Sequence, residues 1–196
     1  GGDFYRFNPI KNQLIKDTSE FSESFYHGPF DISGPIGHFT SWDPKNNKRV
    51  ITRYDFKDEE IVKQWAYDKK NTNSIVNNGI EEIHYDKRGI LWVGYQNNTN
   101  TAKLKNSDVF INYNTDLSSF SGKDLDLAQF IKKVCGFIQG YTQKVIFEDS
   151  EGIIWIGSYS GILFKIDIDN YKIDTYNHDP EDPTSTPSGA IVTISE

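Results

Sequence analysis

The chain has a single cysteine, Cys135, in 196 residues. One thiol excludes an internal disulfide and a thiolate metal site, and it leaves the redox compartment unreadable. Apolar runs are short, none near the ~18 residues a membrane-crossing helix needs. Positive charge is scarce as well: 21 Lys and Arg stand against 28 Asp and Glu, a net charge of −7. That balance argues against a nucleic-acid partner or an anionic membrane surface. The four histidines, His27, His38, His84 and His178, follow no metal-ligand spacing, so no metal and no cofactor is expected. Gly1-Gly2 opens the chain without a signal-peptide pattern and looks like the edge of a fragment of a longer protein.

What is abundant is aromatic side chains, 14% of residues with Tyr and Phe leading, which suits sheet faces. A phrase also recurs. Asp86, Gly89, Trp92 and Gly94 stand in the pattern Asp-x-x-Gly-x-x-Trp-x-Gly, and Asp149, Gly152, Trp155 and Gly157 repeat it 63 residues later. The Asp can open a four-residue turn with its side chain on the backbone, and the Gly suits the last turn position. Lys144–Phe147 before the turn and the apolar run 153–156 after it read as two strands of a hairpin. Gly161 opens a third run over 162–166, and 171–176 gives a fourth. Four short strands per repeat is the signature of a propeller blade. Both Trp92 and Trp155 are expected in the core.

Offsets divide the rest. Residues 2–16 match the chain from Gly161 onward, so residues 1–20 read as the end of a blade. Residues 21–67 read as a degenerate blade in which Asp31 and Gly34 keep the turn spacing and Gly37 stands in place of Trp. Residues 68–117 form a blade, 137–177 another, and 178–196 the start of a next one, since 68–85 matches 179–196. The intervening 118–136 is excess length over a 48-residue repeat. There Leu127, Phe130, Ile131 and Val134 make a stripe at helical spacing. Ser121 is the expected N-cap, with Asp124 and Asp126 in the first turn and Lys132 and Lys133 in the last. The fold class is therefore all-β: four-stranded antiparallel meanders stacked as blades of a partial propeller, with one short inserted helix.

The phrases HDPEDPTSTPSGAIVTISE and EDSEGIIWIGSYSGILFKID resemble the two-component regulator propeller repeats of periplasmic sensors in hybrid two-component systems of Bacteroidetes. The resemblance is strong over 68–95 and 141–196, fair over 2–16 and weak over 22–47. It implies a position on the periplasmic or extracellular side of the membrane, glycan sensing, and a parent protein that carries a histidine kinase. None of those signalling parts lies in this sequence.

No catalytic constellation stands out. Gly157-Ser158-Tyr159-Ser160-Gly161 puts Tyr, not Ser, at the centre where a nucleophile elbow needs Ser. Asp167-Ile168-Asp169-Asn170 lacks the later ligands of a calcium loop. Trp42 and Trp65 break the repeat and are freer to meet a ligand. In a meander, the loops after second strands share a face with the blade-to-blade connections. That places Tyr95, Gln96, Asn97 and Asn98 with Tyr159, Ser160 and His178 on a surface of amides, hydroxyls and Tyr rings suited to a neutral glycan. The expected partners are an oligosaccharide or other small ligand and further blades or domains of the parent chain, with a homodimer also open. Two other readings stay open: the propeller module of a carbohydrate-active enzyme, and a non-catalytic scaffold.

Overall fold

The computed structural model describes residues 5–8, 13–16, 29–43 and 48–196. Expectations that fall on other residues, including His27 and the start of the degenerate blade, lie outside the described residues. Strands β1 (Tyr5–Asn8) and β2 (Gln13–Lys16) pair antiparallel by themselves. Three four-stranded sheets follow, each in sequential order and antiparallel throughout. Blade I is β3 (Phe30–Ser33), β4 (Ile36–Asp43), β5 (Lys48–Asp55) and β6 (Glu60–Ala66). Blade II is β7 (Ile80–Tyr85), β8 (Leu91–Tyr95), β9 (Asn100–Lys103) and β10 (Phe110–Ile111). Helix α1 (Gly122–Phe137) comes next. Blade III is β11 (Gln143–Glu148), β12 (Ile154–Ser158), β13 (Leu163–Asp167) and β14 (Lys172–Tyr176). The first strands β3, β7 and β11 lie side by side, as the inner strands of successive propeller blades do.

The repeated turn forms as its residues dictate. In blade II the Gly89 amide donates to the Asp86 carbonyl at 2.9 Å, and the Asp86 Oδ1 accepts from the amides of Arg88 (3.0 Å) and Ile90 (2.8 Å). In blade III the Gly152 amide donates to the Asp149 carbonyl at 3.0 Å and Ile153 donates to Asp149 Oδ1 at 2.9 Å. Gly89 and Gly152 sit at φ 85° and 83°, a left-handed conformation that favours glycine. The second carboxylate oxygen accepts from the indole N–H two residues further along, Trp92 Nε1 at 2.9 Å and Trp155 Nε1 at 2.7 Å. The Asp and Trp of the motif are thus one hydrogen-bonded unit.

The motif's last glycine answers to the neighbouring blade. A Cβ on Gly94 would lie 3.1 Å from Gln143 Cβ on β11, and one on Gly157 would lie 2.6 Å from Ile191 Cγ2. Both positions are where the chain of the next inner strand passes. Although 190–196 forms no strand, it repeats the β11 contact in another way. Lys87 N–H donates to Glu148 Oε2 at 2.9 Å, and Ser150 N–H donates to Glu196 Oε2 at 2.8 Å.

Blades I and II meet through Ile51 on one side and Ile83, Leu91, Val93, Tyr95 and Phe110 on the other. Blades II and III meet through Trp92, Ala102 and Ile111 against Ile146, Ile156 and Phe164, with Ala128, Ile131, Val134 and Cys135 of α1 packed on the same cluster. Cys135 is a small core residue whose thiol donates to the Ile111 carbonyl at 3.4 Å.

Two local expectations are corrected, at Asp31 and in α1, and the glycine at 37 is explained. Asp31 does not open the blade I turn: it pairs across the ladder with His38, and Gly34 and Pro35 alone close the hairpin. At Gly37 a Cβ would come within 2.6 Å of the Phe56 ring, so an aromatic from further along the chain covers the place where Trp stands in the other blades. In α1 Ser121 is the N-cap as expected, though its side chain makes no cap bond; only Asp124 lies in the first turn, and no basic residue lies in the last. The helix runs on to Phe137, which moves Lys132 and Lys133 into its body.

Candidate functional site

The second-to-third strand loops and the blade connections come together on one face, opposite the Asp-x-x-Gly turns. The geometry rests on a bulge in each inner strand. The β7–β8 ladder shifts register between Ile80 and Glu82, and the β11–β12 ladder between Gln143 and Val145. The residues left out, Glu81 and Lys144, occupy the same place in the repeat. Bulges re-aim side chains, and here Lys144 Nζ forms an ion pair with Glu81 across the blade seam. The Lys144 ammonium, helped by Gln96, holds the Glu81 carboxyl below its ordinary range despite partial burial. Lys144 Nζ also lies 5.7 Å from the centroid of the Tyr159 ring, within reach of a cation–π attraction.

Around this pair the loops are stitched together. Gln96 N–H donates to the Gly79 carbonyl and Tyr159 N–H to the Thr142 carbonyl, each at 2.9 Å. Asn97 Oδ1 accepts from Asn77 Nδ2 at 2.8 Å and from the Thr99 hydroxyl at 2.6 Å. Asn98, at φ 61°, accepts the Gly140 amide on its carbonyl at 2.9 Å and the Thr142 hydroxyl on its side-chain oxygen. The result is a continuous rim of amides and hydroxyls ending at Tyr159, which is 66% exposed. Ser160 is exposed beside it, with its Oγ 3.1 Å from Ser158 Oγ.

Two expected members of the site do not join it in the expected way. Tyr95 is corrected: it is fully buried, its hydroxyl 3.0 Å from Thr101 Oγ1, and burial pushes its phenol far above the usual range. Its counterpart one repeat on is Ser158, also fully buried, because Tyr95 N–H bonds Thr99 as Ser158 N–H bonds Ile162. Tyr159 corresponds instead to exposed Gln96. The chemical likeness of the two tyrosines hid a one-residue offset, which in a strand turns a side chain to the opposite face. His178 is exposed and, among the described residues, bonds the Thr186 carbonyl at 2.8 Å within its own connection. That connection reaches the site through Ile191, whose amide donates to the Ser158 carbonyl at 3.0 Å.

Asn77, Glu81, Thr142 and Lys144 were missed in the sequence. The bulge pair had a signal, since positions 81 and 144 differ by the repeat length and carry opposite charges. Trp65 is a partly buried seam residue, with Nε1 3.2 Å from Asp108 Oδ1, its ring edge-on to Phe110, and Lys103 Nζ 5.1 Å from its centroid. Trp42 lies in β4. Among the described residues no group of three His, Cys, Asp or Glu could hold a metal ion, and no helix is long and apolar enough to cross a membrane.

Stacked four-stranded meanders with inner strands adjacent and a Trp-bearing second strand define β-propeller blades. Residues 136–160 match the model of the two component regulator propeller family, the stretch that carries β11, the turn and β12. No curated protein matches the sequence. Among solved structures, the extracellular domain of the hybrid two component system BT4673 of B. thetaiotaomicron is 14% identical, with a TM-score of 0.51 over 92% of this chain and 26% of that one. The extracellular domain of BT3049 from the same organism is 15% identical at TM-score 0.47, over 87% of this chain and 18% of that one. A Swd1 propeller domain from Myceliophthora thermophila is 10% identical at TM-score 0.45, over 88% of this chain and 62% of that one. The chain thus spans about a quarter or less of the two B. thetaiotaomicron domains. The BT4673 likeness supports the propeller fold.

Proposed function

We propose that this chain is part of an extracytoplasmic sensor propeller of a two-component signalling protein, and that it binds a glycan without chemistry on the Gln96–Tyr159 face. The observation that carries the binding site is the rim running from Asn77 through Asn97, Asn98 and Thr142 to the exposed Tyr159 ring. Amides and hydroxyls exchange hydrogen bonds with sugar hydroxyls, and an aromatic face packs on sugar C–H surfaces. Because the rim is tied to inner-strand bulges and to the N-terminal side of blade III, it is preorganised, which lowers the ordering cost of binding. Glu81, held by Lys144, is not free for acid–base work, which favours binding over turnover. The family match at 136–160 supports the signalling context.

The test is calorimetry with a panel of neutral and acidic oligosaccharides, comparing the wild-type chain with Tyr159→Ala, Asn98→Gly and Thr142→Val. Asn98→Gly removes the amide while keeping a residue that tolerates positive φ. A panel member should bind saturably without release of product, and Tyr159→Ala should weaken it about tenfold or more. Affinity unchanged in all three variants would move the site elsewhere.

A further inference from the structure

At the opposite end of blade II lies a cleft of about 480 Å³ between the β9–β10 turn and the first turns of α1. Ligand pockets start at about 300 Å³. It exists because of the inserted segment: blade III has no helix at this place, and its β13–β14 turn is closed on itself by Asp167 bonding Asn170.

The floor is apolar, formed by buried Ile90 and half-buried Phe120 and Leu127. The polar lining sorts into engaged and free groups. Asp108 is taken by Lys63 Nζ at 2.9 Å and by the Trp65 indole N–H. Arg88 is taken by both oxygens of Asp169 and by the Gly152 carbonyl. Lys105, Asn106 and Asp124 have no hydrogen-bond or ion-pair partner among the described residues. The Lys105 stem is laid along Gly89, where a Cβ would meet its Cδ at 2.8 Å, so the ammonium is carried on an anchored arm.

What the cleft leaves unsatisfied is therefore one cation, one anion, one amide and the hydroxyls of Ser119 and Ser121 over an apolar floor. We propose that this cleft binds a free amino acid with an apolar side chain. The carboxylate goes to Lys105, the ammonium to Asp124, and the side chain lies over Phe120 and Leu127. A neutral sugar offers no charge to either group, and an anion alone leaves Asp124 unanswered. The zwitterion answers both at once, and charge-assisted bonds are the stronger kind.

The experiment is calorimetry of the chain with L-leucine as probe, set beside leucinamide, which lacks the carboxylate, and 4-methylpentanoate, which lacks the ammonium. L-leucine should bind in the millimolar range or tighter. Each analogue should bind about tenfold weaker or worse, and Lys105→Ala and Asp124→Asn should each cost about the same. Tyr159→Ala should leave leucine binding unchanged, so failure here is separable from failure of the glycan reading. Both charge variants lie on exposed positions, and unchanged circular dichroism confirms that they fold. Absence of leucine binding, indifference to both charge variants, or binding of either analogue as tight as that of L-leucine would overturn the proposal, as would preferential binding of maltose in the same cleft.

Discussion

Blades II and III carry the same motif with the same hydrogen bonds and put it in opposite electrostatic and packing environments. Trp92 is 2% exposed and lies inside the II–III core. Trp155 is half-exposed, stacked on Tyr176 at 6.1 Å with Lys165 Nζ 5.3 Å from its ring. Asp86 is buried, and desolvation, with the nearby Glu148, pushes its carboxyl up from 3.8. For Asp149 burial pulls the same way and is the largest single effect, but the bonds from Trp155 and the backbone amides together outweigh it and bring its carboxyl below 3.8. The local sequence builds an identical unit twice. What packs against each unit among the described residues decides what it contributes.

The largest expected effect separates the tryptophans. Trp92→Ala should cost about 3–5 kcal/mol through the cavity it leaves, measured by urea denaturation. The expected core place of Trp155 is revised: it is only partly buried and lies outside the II–III core, so Trp155→Ala should cost less, about 1–2 kcal/mol. Equal losses would mean that another surface buries Trp155 in solution.

Next come the aspartates. Asp86→Ala strands the Trp92 indole N–H and two backbone amides in a buried setting and should cost about 2–3 kcal/mol, against about 1 kcal/mol for Asp149→Ala, where water can replace the lost partner. Carboxyl NMR titration sharpens the contrast. With its folded value raised, Asp86 contributes stability that is complete below 3.8 and is lost as pH rises through its own titration. Asp149, lowered, contributes above 3.8 and loses it as pH falls. Finding both on the same side of 3.8 would contradict the comparison.

The seams differ as well. The I–II seam holds titratable groups. Burial pushes Glu82 up to about 7, with Asp31 and Glu81 adding to the rise against His84, and lowers His38 to about 4, with Arg53 and Lys103 adding to the fall against Asp31. Glu82 therefore favours the fold fully below 4.5 and loses that contribution as pH rises through about 7. His38 favours it above 6.5 and loses that contribution as pH falls through about 4. A melting-temperature profile of Glu82→Gln should fall less than wild type between pH 4.5 and 7; a profile parallel to wild type would count against a buried Glu82.

The smallest effect concerns the II–III rim. Arg88 bridges to Asp169 and Gly152, but Asp169 is 69% exposed, so Arg88→Ala should cost about 1 kcal/mol and less in high salt. A loss that salt does not reduce would point to packing of the guanidinium rather than its charge.

The sequence by itself determined the blade: the Asp turn, the glycine at positive φ, the Trp-bearing strand and the inserted helix all follow from residues within about twenty positions of one another. It also placed the loop face, because meander connectivity is local. Only the tertiary structure decided which members of that face are available. Tyr95 and Tyr159 look alike in sequence, yet the offset between them buries one in the I–II core and exposes the other. Likewise Glu81 and Lys144 meet, and Trp92 and Trp155 part, through contacts between blades 63 residues apart. Such contacts depend on stacking, which no local pattern encodes, since the same strand is core or surface according to what lies against it.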